Sequence, residues 1–138
     1  MDAVCAVQGA SKKRQLYGIV RPFTLLAWQD GRCTRNIVGY GPNFTVVLMC
    51  WEKKQLSPIH DHFGSDCWIK VLDGQLHHFE YEAVKDPGNQ SATCQIKQYS
   101  RSVFYKEDVT CNNKAGIHRV GNPSSDQVVV SLHIYSPP

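Results

Sequence analysis

Pro58-Ile59-His60-Asp61-His62 is the stretch of this 138-residue chain from which a prediction of the fold can start. Successive side chains of a β-strand point to opposite faces, so His60 and His62 are predicted to share one face. A strand rises about 3.3 Å per residue, which places their Cα atoms roughly 7 Å apart. Two imidazoles held at that separation can bind one metal ion, so the stretch predicts a metal site built on a β-strand.

A third histidine, His118, stands far along the chain in the stretch Gly116-Ile117-His118-Arg119-Val120. Together with His60 and His62 it would give a metal three neutral nitrogen ligands. Such a set leaves the ion its full positive charge and open positions for a substrate and dioxygen. A His-x-His pair by itself is equally typical of an ordinary surface, so the residues around the three histidines must distinguish the two interpretations.

The composition indicates a single globular domain and argues against several functions. The net charge is +3 and the charges are scattered, which gives nucleic-acid binding little support. No apolar run approaches the length of a membrane span. The six cysteines include no C-x-x-C motif, which predicts mostly free thiols in a reducing compartment, the cytoplasm. We also expect a monomer that binds neither nucleic acid nor membrane.

Short β-runs bounded by turn signals follow one another from Thr34 onward, and no long helical period is present. Asp73-Gly74 is predicted to form a two-residue hairpin turn, because both residues tolerate a positive φ. Many short strands at regular spacing predict an antiparallel sandwich or barrel. The predicted strands are 34–38, 44–51, 59–62, 67–72, 75–82, 93–99, 102–105, 117–121 and 127–135.

Three polar residues, Ser131, His133 and Tyr135, alternate along the last predicted strand and share one face. That face is either turned to solvent or buried, and the valines on both faces of the strand favour burial. Buried polar side chains need hydrogen-bond partners. We therefore predict that Ser131 orients His133, and that His133 orients the Tyr135 hydroxyl.

Arg35 lies inside a short β-run beside apolar residues. A lone arginine is usually on the surface, and an inward one must pair with an anion because an unpaired buried charge is costly. A substrate carboxylate fits this role, since a guanidinium binds it with two parallel hydrogen bonds. Trp51 is predicted to be core or pocket wall. His77 and His78 point to opposite faces of a strand, and both are interpreted as structural.

The spacing around the histidines resembles the two signature motifs of the cupin superfamily. Four residues separate His62 from Cys67, six separate Cys67 from Gly74, and three separate His118 from Asn122. Most cupins have a glutamate ligand at the position of Cys67. A cysteine in place of that glutamate removes the anionic ligand and leaves three histidines. The ordinary interpretation of Cys67 itself is a small buried apolar residue.

Five stretches in order resemble cysteine dioxygenase, the eukaryotic thiol dioxygenase of the cupin superfamily. They are T-R-N-I-V, C-W, S-P-I-H-D-H-x-x-S-D-C, G-I-H-R-V-G-N and V-S-L-H-I-Y-S-P-P, and they span 34–138. The resemblance implies a cupin-type β-barrel, that is, a double-stranded β-helix or jelly roll, with little helix near the N-terminus. It divides the chain into a poorly matching segment, 1–32, and a thiol dioxygenase domain, 33–138, that is shorter at its C-terminus than the family.

The resemblance also implies residue roles and an activity. His60, His62 and His118 would bind Fe(II), Arg35 would hold the substrate carboxylate, and Tyr135 would contact the substrate. The implied catalytic group comprises Tyr135, a thioether cross-link between Cys67 and Tyr135, and the supporting residues Ser131 and His133. The implied reaction is oxidation of L-cysteine by O₂ to cysteine sulfinic acid, a step in cysteine catabolism and taurine biosynthesis.

One position departs from the family: Cys33 stands where a tyrosine usually precedes the arginine by two residues. Three alternatives therefore stay open at this point. The chain could oxidise another small thiol such as 3-mercaptopropionate, it could bind metal without turnover as a truncated cupin, or the three histidines could hold zinc. Arg35 and Cys67 favour cysteine over 3-mercaptopropionate, because the rival group typically lacks both.

Overall fold

Ten β-strands in two sheets form the regular structure of this chain in a computed structural model that describes residues 6–8, 31–84, 95–113 and 116–138. The all-β prediction is thereby confirmed. The N-terminal part of the chain to residue 30, for which little helix was predicted, lies outside the described residues except for 6–8. No helix in those ranges is long and apolar enough to cross a membrane.

The larger sheet contains six strands in the order β1-β2-β3-β10-β5-β8. Its centre is β10, which pairs antiparallel with β3 on one side and β5 on the other. The chain's last strand therefore lies between two earlier ones, which is a crossover typical of a jelly roll. The six strands are β1 (Ala6–Gln8), β2 (Cys33–Gly41), β3 (Phe44–Trp51), β5 (Asp66–Asp73), β8 (Val109–Asn112) and β10 (Val129–Ser136).

The smaller sheet contains four strands in the order β4-β9-β6-β7. In it β9 pairs antiparallel with β4 and β6, and β6 pairs antiparallel with β7. The strands are β4 (Gln55–Leu56), β6 (Gln75–Val84), β7 (Gln95–Tyr105) and β9 (Ile117–Asn122). The two strands predicted at 93–99 and 102–105 are thus one continuous strand, and the short strands β4 and β8 were not predicted.

Asp73-Gly74 is a turn, but the predicted hairpin is wrong. β5 ends at Asp73 in the larger sheet and β6 starts at Gln75 in the smaller one, so the turn carries the chain between sheets. Gly74 has φ +77, and a Cβ there would lie 2.6 Å from the carbonyl oxygen of Val128. Only glycine fits both the backbone conformation and the contact.

The hydrophobic core lies between the two sheets. Its largest buried member is Trp51 of β3, and Ile69 and Val71 of β5 lie in the same cluster. Leu76 of β6 and Val120 of β9 contribute from the smaller sheet. Inward side chains from both sheets therefore form one core, which is the arrangement of a β-sandwich.

The predicted strand 59–62 is not formed. Its backbone makes a single antiparallel bridge between His60 and His118, in which each amide donates to the other's carbonyl at 2.9 and 2.8 Å. His62 lies beyond that bridge, outside any strand. The shared face expected from strand alternation therefore does not explain how the two imidazoles meet.

Candidate metal centre

Three histidines converge in the described part of the structure. The side chains of His60, His62 and His118 each offer one ring nitrogen, and these atoms lie within 4.8 Å of one another. The ring centroids are 4.6 Å apart for His60 and His118, 4.7 Å for His62 and His118, and 5.1 Å for His60 and His62. The backbone bridge and the turn after it bring the rings together.

In His60 and His118, Nδ1 makes a hydrogen bond outside the cluster, so Nε2 is the nitrogen that faces the other histidines. Nδ1 of His60 lies 2.9 Å from the carbonyl oxygen of Pro58, to which it donates. Nδ1 of His118 lies 2.9 Å from Nε2 of His78. Both rings therefore present Nε2, and Nε2 of His118 lies 3.0 Å from Nε2 of His62. Occupied Nδ1 atoms with free Nε2 lone pairs are the usual arrangement of metal-binding histidines.

Two of the three imidazoles are neutral at physiological pH. Burial lowers the pKa of His62 to about 4, assisted by the neighbouring His60 and Arg35. Burial also lowers the pKa of His118 to about 2, assisted by His60 and His62. A neutral imidazole offers a lone pair, which a metal requires. The donor set fits a divalent transition metal that accepts imidazole nitrogen.

Arg35 of β2 lies in the same cavity, half-buried beside Tyr135 of β10. Its guanidinium carbon is 5.7 Å from the Tyr135 ring centroid, and the two side chains share a hydrogen bond. Tyr135 in turn lies edge-on to His62, with ring centroids 5.3 Å apart. The inward orientation predicted for Arg35 is therefore present, with Tyr135 between it and the histidines.

Cys67 and Tyr135 are direct register partners on adjacent strands β5 and β10, and their side chains share a hydrogen bond. Burial raises the pKa of Cys67 to about 12, and burial together with the neighbouring Cys67 sulfur raises the pKa of Tyr135. Both groups are therefore protonated near neutral pH. Cys67 is not an activated thiolate, because it lies in a buried rather than an electropositive exposed environment.

Ser131 and His133 are joined as predicted, but His133 does not orient the Tyr135 hydroxyl through a ring nitrogen. Nε2 of His133 lies 2.8 Å from Ser131 Oγ, which also accepts a hydrogen bond from Trp51 Nε1 at 2.9 Å. Nδ1 of His133 lies 3.8 Å from Cys67 Sγ. With both nitrogens occupied, the ring reaches Tyr135 only by stacking, at 6.2 Å between centroids.

Sequence reasoning missed one residue near the histidines, His78, and one hydrogen bond, that of Trp51. Trp51, predicted as core or pocket wall, donates a hydrogen bond to Ser131, which in turn contacts His133. His78, interpreted as structural, contacts His118. A signal was present for His78, because it alternates with buried Leu76 on the inward face of β6 and is itself buried.

Four of the six cysteines lie in the described residues, and they are not all free thiols. Cys50, Cys67 and Cys111 are free. Cys33, the residue that departs from the expected tyrosine, is disulfide-bonded. It is buried at the start of β2, two residues before Arg35.

A family match covers this site and most of the chain. The family described as Cysteine dioxygenase type I matches residues 21–138, which include every residue of the cavity named above. The chain belongs to the cysteine dioxygenase type I family. The family match thus includes the three histidines, whose ring nitrogens are close enough to hold one metal ion.

Curated relatives in vertebrates bear the name Cysteine dioxygenase type 1. The chain is 37% identical to the Rattus norvegicus protein over 108 residues, 38% identical to the Danio rerio protein over 109, and 35% identical to the Homo sapiens protein over 108. Each alignment covers 78% of this chain and 52% of the relative. This cysteine dioxygenase homologue thus spans about half the length of the curated relatives it matches.

Solved structures with the same fold are more distant in sequence. A Klebsiella pneumoniae protein with a double-stranded β-helix domain superposes with a TM-score of 0.63 at 15% identity, covering 88% of this chain and 91% of that one. A cupin superfamily protein of Desulfitobacterium hafniense superposes with a TM-score of 0.61 at 14% identity. The superposition covers 94% of this chain and 100% of that one. These likenesses support the predicted cupin jelly roll.

Proposed function

We propose that this chain is an Fe(II)-dependent cysteine dioxygenase that oxidises L-cysteine with O₂ to cysteine sulfinic acid. The observation that carries the proposal is the convergence of three imidazoles beside Tyr135 and the guanidinium of Arg35. The reaction is balanced without a further reductant, because both oxygen atoms of O₂ enter the product.

His60, His62 and His118 would hold the iron through their Nε2 atoms. When bound, Fe(II) would supply Lewis acidity toward the substrate thiol and a place for the thiol and O₂ to meet. The absence of an anionic ligand among the three leaves the full charge of the ion available to the substrate. The hydrogen bond from Nδ1 of His60 to the Pro58 carbonyl supports this role, since it fixes the tautomer that metal binding requires.

Arg35 would bind the substrate carboxylate. Its guanidinium lies beside Tyr135, which separates it from His62, so a molecule held at both ends would need a carboxylate and a thiol a few bonds apart. L-Cysteine meets that requirement, and 3-mercaptopropionate is the alternative. The Tyr135 hydroxyl, hydrogen-bonded to Arg35, would contact the carboxylate end and remain protonated there.

Cys67 and Tyr135 would form the family's thioether cross-link. The step removes the thiol hydrogen of Cys67 and one ring hydrogen of Tyr135, forms a carbon–sulfur bond, and transfers two electrons and two protons to O₂. Register pairing of the two residues supports it. Ser131 and His133 would position the sulfur, because His133 reaches Cys67 and is itself held by Ser131.

Cytoplasmic localisation and the monomeric state also remain proposals. The free thiols of Cys50, Cys67 and Cys111 support a reducing compartment, whereas the disulfide of Cys33 argues in the opposite direction. With the proposed activity, the chain would act in cysteine catabolism and supply a sulfinate for taurine biosynthesis.

The test is O₂ uptake by chain purified anaerobically, loaded with Fe(II), and given L-cysteine, 3-mercaptopropionate or cysteamine in separate runs. We expect uptake with cysteine, equimolar cysteine sulfinic acid by mass spectrometry, and loss of both in His118→Gln. His77→Gln is the matched control, because His77 contacts Arg101 on the opposite face of β6.

Three results would replace the proposal with one of its rivals. Faster turnover of 3-mercaptopropionate would identify a dioxygenase for that thiol. Fe(II) binding without product would identify a metal-binding cupin that has no turnover. Zinc retained after anaerobic purification in the presence of excess Fe(II) would identify a zinc site.

A further inference from the structure

His78 is a buried histidine on β6 that the proposed mechanism does not use. It is 3% exposed and lies on the inward face of the smaller sheet. Its ring centroid is 4.9 Å from that of His118, with an interplanar angle of 75°. The two strands that carry them, β6 and β9, are hydrogen-bonded neighbours, and the backbone position of each residue is set by sheet register.

The contact between these rings has a defined polarity once His118 faces a metal. His78 Nε2 and His118 Nδ1 are 2.9 Å apart, while His118 Nε2 is directed at His62. If Nε2 of His118 gives its lone pair to a cation, the ring hydrogen must sit on Nδ1. His118 is then the donor and His78 Nε2 the acceptor, so the hydrogen of His78 sits on its own Nδ1.

A metal-binding histidine usually donates its second N–H to a carboxylate, a backbone carbonyl or water. Here His60 follows that pattern with the carbonyl of Pro58, but His118 donates to another imidazole. An imidazole acceptor adds no negative charge to the cavity. It orients His118 and selects its tautomer while preserving the positive charge that three neutral ligands leave on a bound ion.

We propose that His78 is a positioning residue that holds the His118 ring, in its Nδ1–H tautomer, toward the metal. The inference rests on the proposed metal site and goes beyond it, since it assigns His78 a role in metal affinity rather than in packing. His77, the next residue, provides an internal contrast because its Nδ1 lies 3.1 Å from Arg101 Nη2 and its ring stacks on Phe79, away from the metal site.

The test is an anaerobic titration of the metal-free chain with Co(II) alone, followed by its visible absorption bands. His78→Met and His78→Gln place side chains of equal length in the site, but only the amide is a good acceptor. We expect His78→Met to weaken Co(II) binding about 10- to 100-fold and to shift the bands. The Co(II) affinity of His78→Gln should stay within a few-fold of that of the parent chain. The Co(II) affinity of the control variant His77→Met should equal that of the parent.

Equal Co(II) affinity and unchanged bands in parent and His78→Met would overturn the inference while leaving the metal site in place. A parent chain that binds no Co(II) would overturn the proposed function, and the inference with it. A second measurement needs no variant: ¹⁵N NMR of the parent imidazoles, with diamagnetic Zn(II) bound, should show hydrogen on Nδ1 of His118 and none on Nε2 of His78. Hydrogen on Nε2 of His78 would contradict the proposed polarity.

Discussion

At the scale of single residues, the cavity combines neutral imidazoles with one cation. Burial lowers the pKa of His62, His118 and His133, so these rings carry no charge near pH 7. Arg35 is the positive group that acts on His62, His133, Cys67 and Tyr135 alike. An anionic substrate group would therefore be drawn to Arg35, because no other cation in the described residues acts on all four.

Arg35→Ala should weaken L-cysteine binding far more than cysteamine binding, because cysteamine has no carboxylate to lose. Removing one partner of a desolvated ion pair typically costs about 2–5 kcal/mol. The KM for cysteine should therefore rise by about 30-fold or more, with a much smaller change for cysteamine. Steady-state O₂ uptake with both thiols measures the difference.

Arg32→Ala is the matched control, since Arg32 is exposed just before β2. Equal losses for cysteine and cysteamine in Arg35→Ala would exclude a carboxylate-binding role for Arg35. The proposed metal site would be unaffected by that outcome.

Turnover with Fe(II), cysteine and O₂ should join Cys67 to Tyr135. Since the Cys67 thiol is protonated in its buried position, the bond should form only during oxidative turnover and not during storage without iron. Peptide mapping should recover the two segments as one species that has lost one hydrogen from each residue. Cys67→Ala should lower activity without abolishing it, because the three histidines remain.

Recovery of both peptides only in unlinked form, from a preparation that turns over cysteine, would contradict the cross-link. Cys111→Ala is the control for nonspecific oxidation. Cys111 is an exposed free thiol on β8, the strand beside β5, and its loss should leave the linked peptide unchanged.

At the scale of single elements, β9 has two functions in one short strand. His118 near its start faces the metal site, and Gly121 near its end lets β4 approach closely. Gly121 has φ +150, and a Cβ there would overlap the carbonyl oxygen of Gln55 and lie 2.8 Å from Cα of Leu56. The contact is with backbone, which cannot move aside as a flexible side chain can.

Gly121→Ala should therefore destabilise the chain through both backbone strain and loss of the β4–β9 pairing. Strain at a glycine-only conformation lowers the free energy of unfolding by about 1–3 kcal/mol. Displacement of β4 from β9 lowers it further. Urea unfolding of the metal-free chain measures the change. Gly39→Ala is the control, because a Cβ there would meet only Val46 at 3.7 Å, an ordinary contact. Equal stability of the two variants would contradict the argument.

At the scale of the whole molecule, the jelly roll buries a group that resists protonation. His133 is 2% exposed, between the sheets. Burial, then Arg35 and His62, lower its pKa to about 3 from an ordinary value of 6.5. The unfolded chain therefore binds more protons than the folded chain as the pH falls from about 6.5 toward 3, and stability must decrease over that interval.

His133→Gln should flatten this acid dependence. A single group that is protonated only in the unfolded chain lowers the free energy of unfolding by about 1.4 kcal/mol for each pH unit of acidification. Urea unfolding of the metal-free chain at pH 7.5, 6.5 and 5.5 should show a steeper loss in the parent than in His133→Gln. His62 and His118 leave a residual slope, since their pKa values are lowered as well. Equal slopes would show that His133 is protonated in the folded chain.

The sequence by itself determined the fold class, the β-run that became β3 (Phe44–Trp51) and the three histidines that meet. The fold class and β3 depend on local properties, because alternation and turn residues act within a few residues of the chain. The three histidines were identified instead from motif spacing that resembles a known family. For Arg35 the residues alone left the surface and the inward orientation open, and its expected role at the site came from the family resemblance.

Only the tertiary structure decided how those residues meet. His60 and His62 converge through one backbone bridge and a turn rather than along a strand, and Asp73-Gly74 connects two sheets instead of closing a hairpin. Contacts between distant strands also made His78 a partner of His118 and Cys67 the partner of His133. The physical reason is that sheet register and sheet packing depend on residues 40 or 66 positions apart, which no local pattern specifies.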